Sequence, residues 1–314
     1  MSKTKEPSPT LTVLTIAEVS FRISFIDSPP GTYESWYLPF LASSSSDQPS
    51  RSAIDISVHR ERATRSDAPI VFESGGAWNM QMDPEGYRLN FHREGTQHHH
   101  TIACSDVGTK EVRLYIDQDE DELSPPLESR LSGTRLSPIR YPLDQLLLMN
   151  HLSPLGGVIV HAAGMVIGES AVMCPGASGA GKSTLSQLFM DADLGDALLS
   201  DDRVVLRRWP LERQVSRSAS RVREAWREKI GVWGSPWPGD AGVARNRAAP
   251  LDAVLFLRKA DTNELRPLSP RAAVRRLMPV VTCPWYDPER LPGVLETCSH
   301  VVESNPCYEL LFRA

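Results

Sequence analysis

The chain has 314 residues, of which 41% are hydrophobic and 23% charged, with 25 prolines and a formal net charge of −5. That length suits one large α/β domain with a smaller companion, or two medium domains, with a core that needs no covalent staples. The acidic balance and the absence of a Lys/Arg-rich tail exclude a net basic field for nucleic acid, and no apolar run reaches the ~18 residues that a membrane span needs.

The first ten or so residues are polar and contain proline, with no signal-like apolar core behind their lysines, so the cytoplasm is the expected location. Residues 12–25 are rich in β-branched and aromatic side chains and alternate from Val19 to Phe25, the pattern of one or two strands. The run SSSSDQPS before residue 51 marks a loop or insertion. Short strands are expected at Ile54–His59, Ile70–Glu73, Tyr87–Phe91, Thr101–Cys104 and Val112–Ile116, separated by Gly- and Pro-containing turns. Residues 1–135 therefore predict a β-rich domain of short antiparallel strands, suited to binding a substrate or partner.

Two polar clusters in this half invite a metal reading. His98, His99 and His100 are adjacent, but neighbouring strand residues face opposite ways and cannot all converge on one ion. The acidic segment Asp117–Asp121 lacks the spacing of a calcium loop and reads as a solvated turn.

Near residue 141 the pattern changes. Pro142 opens a leucine-rich helical stretch, and Gly156–His161 reads as a strand. Met165–Gly168 and Ala171–Cys174 read as a hairpin running into Gly176-Ala177-Ser178-Gly179-Ala180-Gly181-Lys182-Ser183-Thr184. This segment satisfies G-x-x-x-x-G-K-[ST] between an apolar strand and a helical stretch, which is the context that a phosphate loop requires. Gly176, Gly179 and Gly181 permit the tight turn, and the amides of the loop from Ser178 through Ala180 to Thr184 surround phosphate oxygens. Lys182 reaches the β- and γ-phosphates, and Ser183 offers a hydroxyl to Mg2+. ATP and Mg2+ are the implied cofactors.

A short apolar stretch then delivers Asp201-Asp202. In this setting one carboxylate would hold metal while the other takes the proton of an attacking hydroxyl. His161 ends the apolar run GGVIV and is a candidate to contact phosphate or to orient an aspartate. Downstream, the arginine-rich stretch 203–229 is either a solvated helix face or a patch facing phosphate or an acidic peptide. Residues 231–250 are either a substrate-facing lid or a packed aromatic loop around Trp233 and Trp237. Arg245 is the favoured phosphate-facing arginine there. Leu251–Arg258 reads as a buried strand, Arg271–Leu277 as a short helix and the ending from Val301 through Arg313 as a returning strand, so the second domain is expected to span 136–314. Cys104, Cys174, Cys283, Cys298 and Cys307 form no CxxC pair and suit a reducing compartment, with a local redox pair left open.

Segment 156–206 resembles the catalytic domain of the HPr kinase/phosphorylase family, itself similar to ATP-dependent phosphoenolpyruvate carboxykinase. The matching features are His161 in VIVHA, the loop GASGAGKST and the doublet Asp201-Asp202 followed by Arg203. The resemblance implies an α/β protein with a C-terminal P-loop kinase domain and an N-terminal β-rich domain. It implies Asp201 as the base for a hydroxyl, Asp202 as the magnesium partner, and a homo-oligomer. The stretch Gly231–Asp240 departs from HPr kinase proper, which carries a glycine-rich, arginine-containing segment. It looks like divergent HPr-kinase-related proteins, some similar to kinases acting on a serine of a lasso-type precursor peptide. The implied acceptor is thus a peptide, protein or small-molecule hydroxyl.

Overall fold

A computed structural model describes residues 10–26, 29–42, 52–92, 99–117, 136–209 and 229–313, the side chains of residues 83, 99 and 100 excepted. It is a mixed α/β structure of two compact units, each built on a sheet. The first comprises Met1–Glu34 and Leu41–Leu147, the second Ser35–Phe40 and Leu148–Ala314. The division falls inside helix α1 (Leu143–Leu152).

In the first unit the described strands are β1 (Thr10–Ile16), β2 (Val19–Phe25), β3 (Ser52–His59), β4 (Ile70–Glu73), β5 (Trp78–Asp83), β6 (Gly86–His92), β7 (His99–Asp106) and β8 (Glu111–Ile116). Their spatial order is β1-β2-β3-β8-β7-β6-β5-β4. The sheet is mixed, not purely antiparallel as expected, because β3 pairs parallel with both β2 and β8. Alternation in the sequence explains the register. Phe21 opposes Ile54, Ile23 opposes Ile56, and Ile56 in turn opposes Val112. All five are buried on one face, each contributing on the order of 1.5–3 kcal/mol. Arg22 and Asp55 oppose each other on the other face and pair at 2.5 Å.

The β1–β2 turn places Ala17 (φ 49°) and Glu18 (φ 60°) in the left-handed region, the geometry that matches strand twist in a two-residue hairpin loop. Neither residue is glycine, so each carries a cost of about 1 kcal/mol. Glu18→Gly is expected to stabilise the unit by a net ~0.5 kcal/mol, after the extra unfolded-state entropy is subtracted. A thermal unfolding midpoint unchanged or lowered would contradict this.

The second unit contains β9 (Val158–Ile167), β10 (Ser170–Pro175), β11 (Leu198–Ser200), β12 (Arg203–Arg208), β13 (Ile230–Trp233), β14 (Ala248–Lys259), β15 (Glu264–Pro267), β16 (Val281–Thr282) and β17 (Cys307–Phe312). Its further helices are α2 (Lys182–Asp191), α3 (Pro270–Leu277) and α4 (Leu291–Ser304). The main path runs β10-β9-β12-β13-β14-β17-β15, and β10 also pairs parallel with β14. Five strands thereby close on themselves: β10, β9, β12, β13 and β14. The expected segments 156–161 and 165–168 are one continuous strand, β9, buried along nearly its whole length. Such a strand reads as an apolar run because both of its faces are covered. Val160, Ala162, Met173, Val204, Val232 and Val254 share its core with Val301 of α4. The C-terminal strand β17 lies between β14 and β15, parallel to the first.

Among the described residues no helix is long and apolar enough to cross a membrane. Asp117 is an ion-pair partner of Arg62 at 2.8 Å, while 118–121 lie outside the described residues, as do His98 and residues 210–228 of the arginine-rich stretch.

Candidate functional site

β10 leads into the loop 176–181, and α2 begins at Lys182. Gly181, at the helix start, has φ 111°, which a side chain rarely adopts. It also has no room for one, since a Cβ would lie 2.7 Å from the Phe312 ring of β17. Lys182 must therefore follow a glycine for α2 to start against this wall. Its side chain is buried, and Nζ donates to Gly176 O at 2.8 Å and Ala177 O at 3.3 Å. Ala177, Ser178 and Gly179 are exposed, Ala180 and Thr184 partly buried. The first two residues of the loop thus hold the lysine ammonium, while Ser178, Gly179 and Ala180 continue the turn into α2.

β9 ties the remaining polar groups to this loop. Gly176 N donates to His161 O at 3.1 Å, and Ala162 N donates to Asp202 O at 2.9 Å. His161 is the register partner of Arg203 across β9 and β12. At the end of β11, Ser200 Oγ accepts from the amides of Asp202 (3.4 Å) and Arg203 (3.3 Å), which fixes the turn that presents both aspartates.

The two aspartates are in different environments. Asp202 is partly exposed; Oδ1 is 2.7 Å from His161 Nε2, and Oδ2 accepts from Arg203. Burial alone would raise its pKa. The His161 hydrogen bond and the positive charges of Arg203 and Lys182 outweigh that and hold it below the ordinary carboxylate range. Lys182 is lowered from the ordinary lysine value, chiefly by burial, with Asp202, Asp201 and Asp240 partly restoring it. One consequence concerns acid stability. A depressed carboxylate stabilises the fold above its unfolded pKa of 3.8, and that stability is lost as pH falls through the lower folded value. Removing the hydrogen bond with His161→Ala is expected to move acid unfolding to higher pH by a fraction of a unit, readable by circular dichroism during acid titration.

Asp201 is 1% exposed. Oδ1 accepts from the amides of Gly239 (3.0 Å) and Val243 (3.2 Å), and Oδ2 from Ala241 (2.7 Å). The carboxylate expected to serve as base is thus already committed to three backbone donors. Between those donors Asp240 is exposed, and its Oδ2 accepts from Ser183 Oγ at 3.1 Å. The sequence assigned Asp240 no role of its own. The available signal was its place after Gly239 in a loop of tightly turned backbone, but the partner lies 57 residues away.

The loop 231–250 divides its expected roles. Trp233 and Trp237 are buried, and Trp233 packs on Trp209 with ring centroids 5.5 Å apart, so the aromatic part is a packed foundation. Arg245, expected to face phosphate, instead donates to Asp196 Oδ1 at 2.8 Å and Gly195 O at 3.3 Å. Its backbone is fixed there because Arg245 N donates to Leu199 O in β11.

All five cysteines are free. Burial pushes the thiols of Cys174 and Cys298 up to about 12 and those of Cys283 and Cys307 up to about 11, so they are poor nucleophiles. Among the described residues no three His, Cys, Asp or Glu side chains converge as a metal site. A cavity of about 610 Å³ lined by Leu155, Arg208, Ile230, Glu296 and His300 includes none of the loop or aspartate residues. No family model and no curated protein matches this chain.

Proposed function

We propose that this chain is an ATP- and Mg2+-dependent kinase of the HPr kinase-like P-loop type, passing the γ-phosphoryl group to a hydroxyl, with a serine of a peptide or protein as the favoured acceptor. The observation that carries this reading is the meeting of Ser183 with Asp240 at 3.1 Å, beside a buried Lys182 under the charges of Asp202, Asp201 and Asp240. Phosphoryl transfer asks little covalent chemistry of a protein and much positioning of charge.

In this reading Lys182 exchanges its two loop carbonyls for β- and γ-phosphate oxygens. The oxygens of Ser183 and Asp240 suit a hard cation, and a nucleotide-borne Mg2+ needs only one or two protein carboxylates besides phosphate oxygens and water. The metal would neutralise charge as the phosphoryl group moves. Both oxygens of Asp202 are already engaged, so it orients His161. In the tautomer that donates Nε2–H to Asp202, His161 keeps Nδ1 to take the proton of the acceptor hydroxyl. Asp202 then stabilises the imidazolium. Arg203, also held at Asp202, sets the local balance of charge.

The test is transfer of label from γ-labelled ATP to serine peptides and small hydroxyl compounds. His161→Ala is expected to lower kcat by about 10²–10⁴-fold with ATP affinity little changed. No binding of Mg2+–ATP by calorimetry would sink the nucleotide reading. Binding without transfer or hydrolysis would leave an ATP-responsive switch instead of a kinase.

A further inference from the structure

Asp201 does something that the doublet alone does not suggest. Gly239, Ala241 and Val243 are alternate residues of one short loop, and all three amides converge on a single carboxylate. Gly242 N closes the same loop by donating to Gly239 O at 3.1 Å, with Gly242 at φ 68°. Successive amides gathered around one anion form a concave nest, here filled by a side chain of the protein itself. The neighbouring residue of alternate parity, Asp240, is left outside the nest and meets Ser183. β11, which ends at the residue before Asp201, is pinned to the same loop by Arg245 N on Leu199 O and by the bridge between Ser200 and Ala244.

We infer that Asp201 is a positioning residue: its carboxylate templates the loop 239–243 so that Asp240 stands opposite Ser183 as the second protein oxygen for the nucleotide's divalent cation. This rests on the kinase reading above and names how its metal site is built. It also separates the two aspartates by task. Asp201, surrounded by amide dipoles, adds little repulsion toward a triphosphate, whereas Asp240 is exposed and able to exchange the Ser183 hydroxyl for a metal ion.

An uncharged isostere discriminates the possibilities. Asn has one acceptor oxygen and two N–H donors, so Asp201→Asn cannot accept all three amides. Mn2+ serves as the probe, with its affinity for the full-length protein–ATP complex read by electron paramagnetic resonance. Asp201→Asn and Asp240→Asn are each expected to weaken Mn2+ about tenfold or more. Binding of ATP in EDTA is expected to change less than twofold. The double variant is expected to be no weaker than Asp240→Asn alone, since one residue acts through the other. Amide hydrogen exchange at 239–243 is expected to quicken in Asp201→Asn but not in Asp240→Asn. If Asp201→Asn leaves Mn2+ affinity unchanged while kcat collapses, Asp201 acts on the acceptor hydroxyl and the inference is overturned. Additive losses in the double variant overturn it too.

Should Asp201→Asn fail to fold, Gly242→Ala decides. It strains the loop at a position where a Cβ meets nothing within 4 Å and leaves the carboxylate intact. A severalfold loss of Mn2+ affinity at unchanged kcat under saturating metal supports the inference, and unchanged affinity overturns it. Failure of the unmodified protein to bind Mn2+–ATP at all would instead remove the kinase reading on which the inference stands.

Discussion

Lys182→Met is expected to lower kcat/KM for transfer from ATP by about a hundred- to a thousandfold, with the fold retained. On the kinase reading, the magnitude follows from removing one preorganised positive donor from the place where phosphoryl charge would develop. The side chain is only 6% exposed, and Met matches its length and tolerates an apolar sheath. Among the described residues its ammonium donates to two loop carbonyls, Gly176 O and Ala177 O, which water can serve once the amine is gone. Burial lowers the lysine pKa, and the charges of Asp202, Asp201 and Asp240 oppose that shift. Near-ultraviolet circular dichroism checks the fold, and single-turnover transfer with labelled ATP checks the chemistry. Transfer within tenfold of the parent would show that Lys182 does not touch the reacting phosphates.

Gly234→Ala is expected to destabilise the second unit by about 3 kcal/mol, the scale of overpacking against a framework that cannot yield. A Cβ at this position would sit 2.1 Å from Arg245 O and 2.8 Å from Leu199 O. Both are backbone atoms, and both are held: Gly234 N donates to Arg247 O, and Arg245 N donates to Leu199 O, each at 3.0 Å. No rotamer change relieves the clash, so either β11 or the segment 245–247 must move. Either movement carries Asp201 or its nest away, so metal affinity should fall with stability. Urea unfolding followed by tryptophan fluorescence would detect the shift through buried Trp233 and Trp237. A midpoint equal to that of the parent would mean that the loop is softer than its hydrogen bonds imply.

These two positions differ in how visible they are from sequence. The loop 176–184 is legible because its pattern is local: glycines, lysine and serine are in register over nine residues, between a strand and a helix that announce themselves. β14 and β17 are legible for a similar reason, being apolar runs of strand length. β5 was missed although Trp78, Met80 and Met82 alternate with polar residues and Met80 is fully buried, because methionine, asparagine and glutamine are weak strand formers. Its other face is held by cross-strand amides: Asn79 accepts from Asn90 at 2.8 Å, and Gln81 accepts from Asn90 at 3.0 Å. The parallel pairing of β3 with β2 and β8 was missed because strand direction is not a local property.

At the site the same distinction holds. The doublet was found, but its division of labour was not, because what sets Asp201 apart is three amides from about 40 residues downstream. Arg245 looked free to face phosphate only while Asp196 was out of view. His161 is visible as the polar end of the apolar run GGVIV, and its pairing with Asp202 gives that residue a physical task.

The wall behind Gly181 has a temporal consequence. Phe312 belongs to β17, which is inserted between β14 and β15, so the surface that shapes the start of α2 is supplied by residues about 130 positions later. The pairing of β10 with β14 likewise closes a separation of about 80 residues. Such distant closures come late and slowly, after local hairpins such as β9–β10 have formed. On a ribosome, the loop would exist as a chemical sequence long before the wall that shapes it. If the kinase reading holds, nascent chains stalled before residue 307 should take up no nucleotide, and ATP should favour only the finished unit over its partly folded forms.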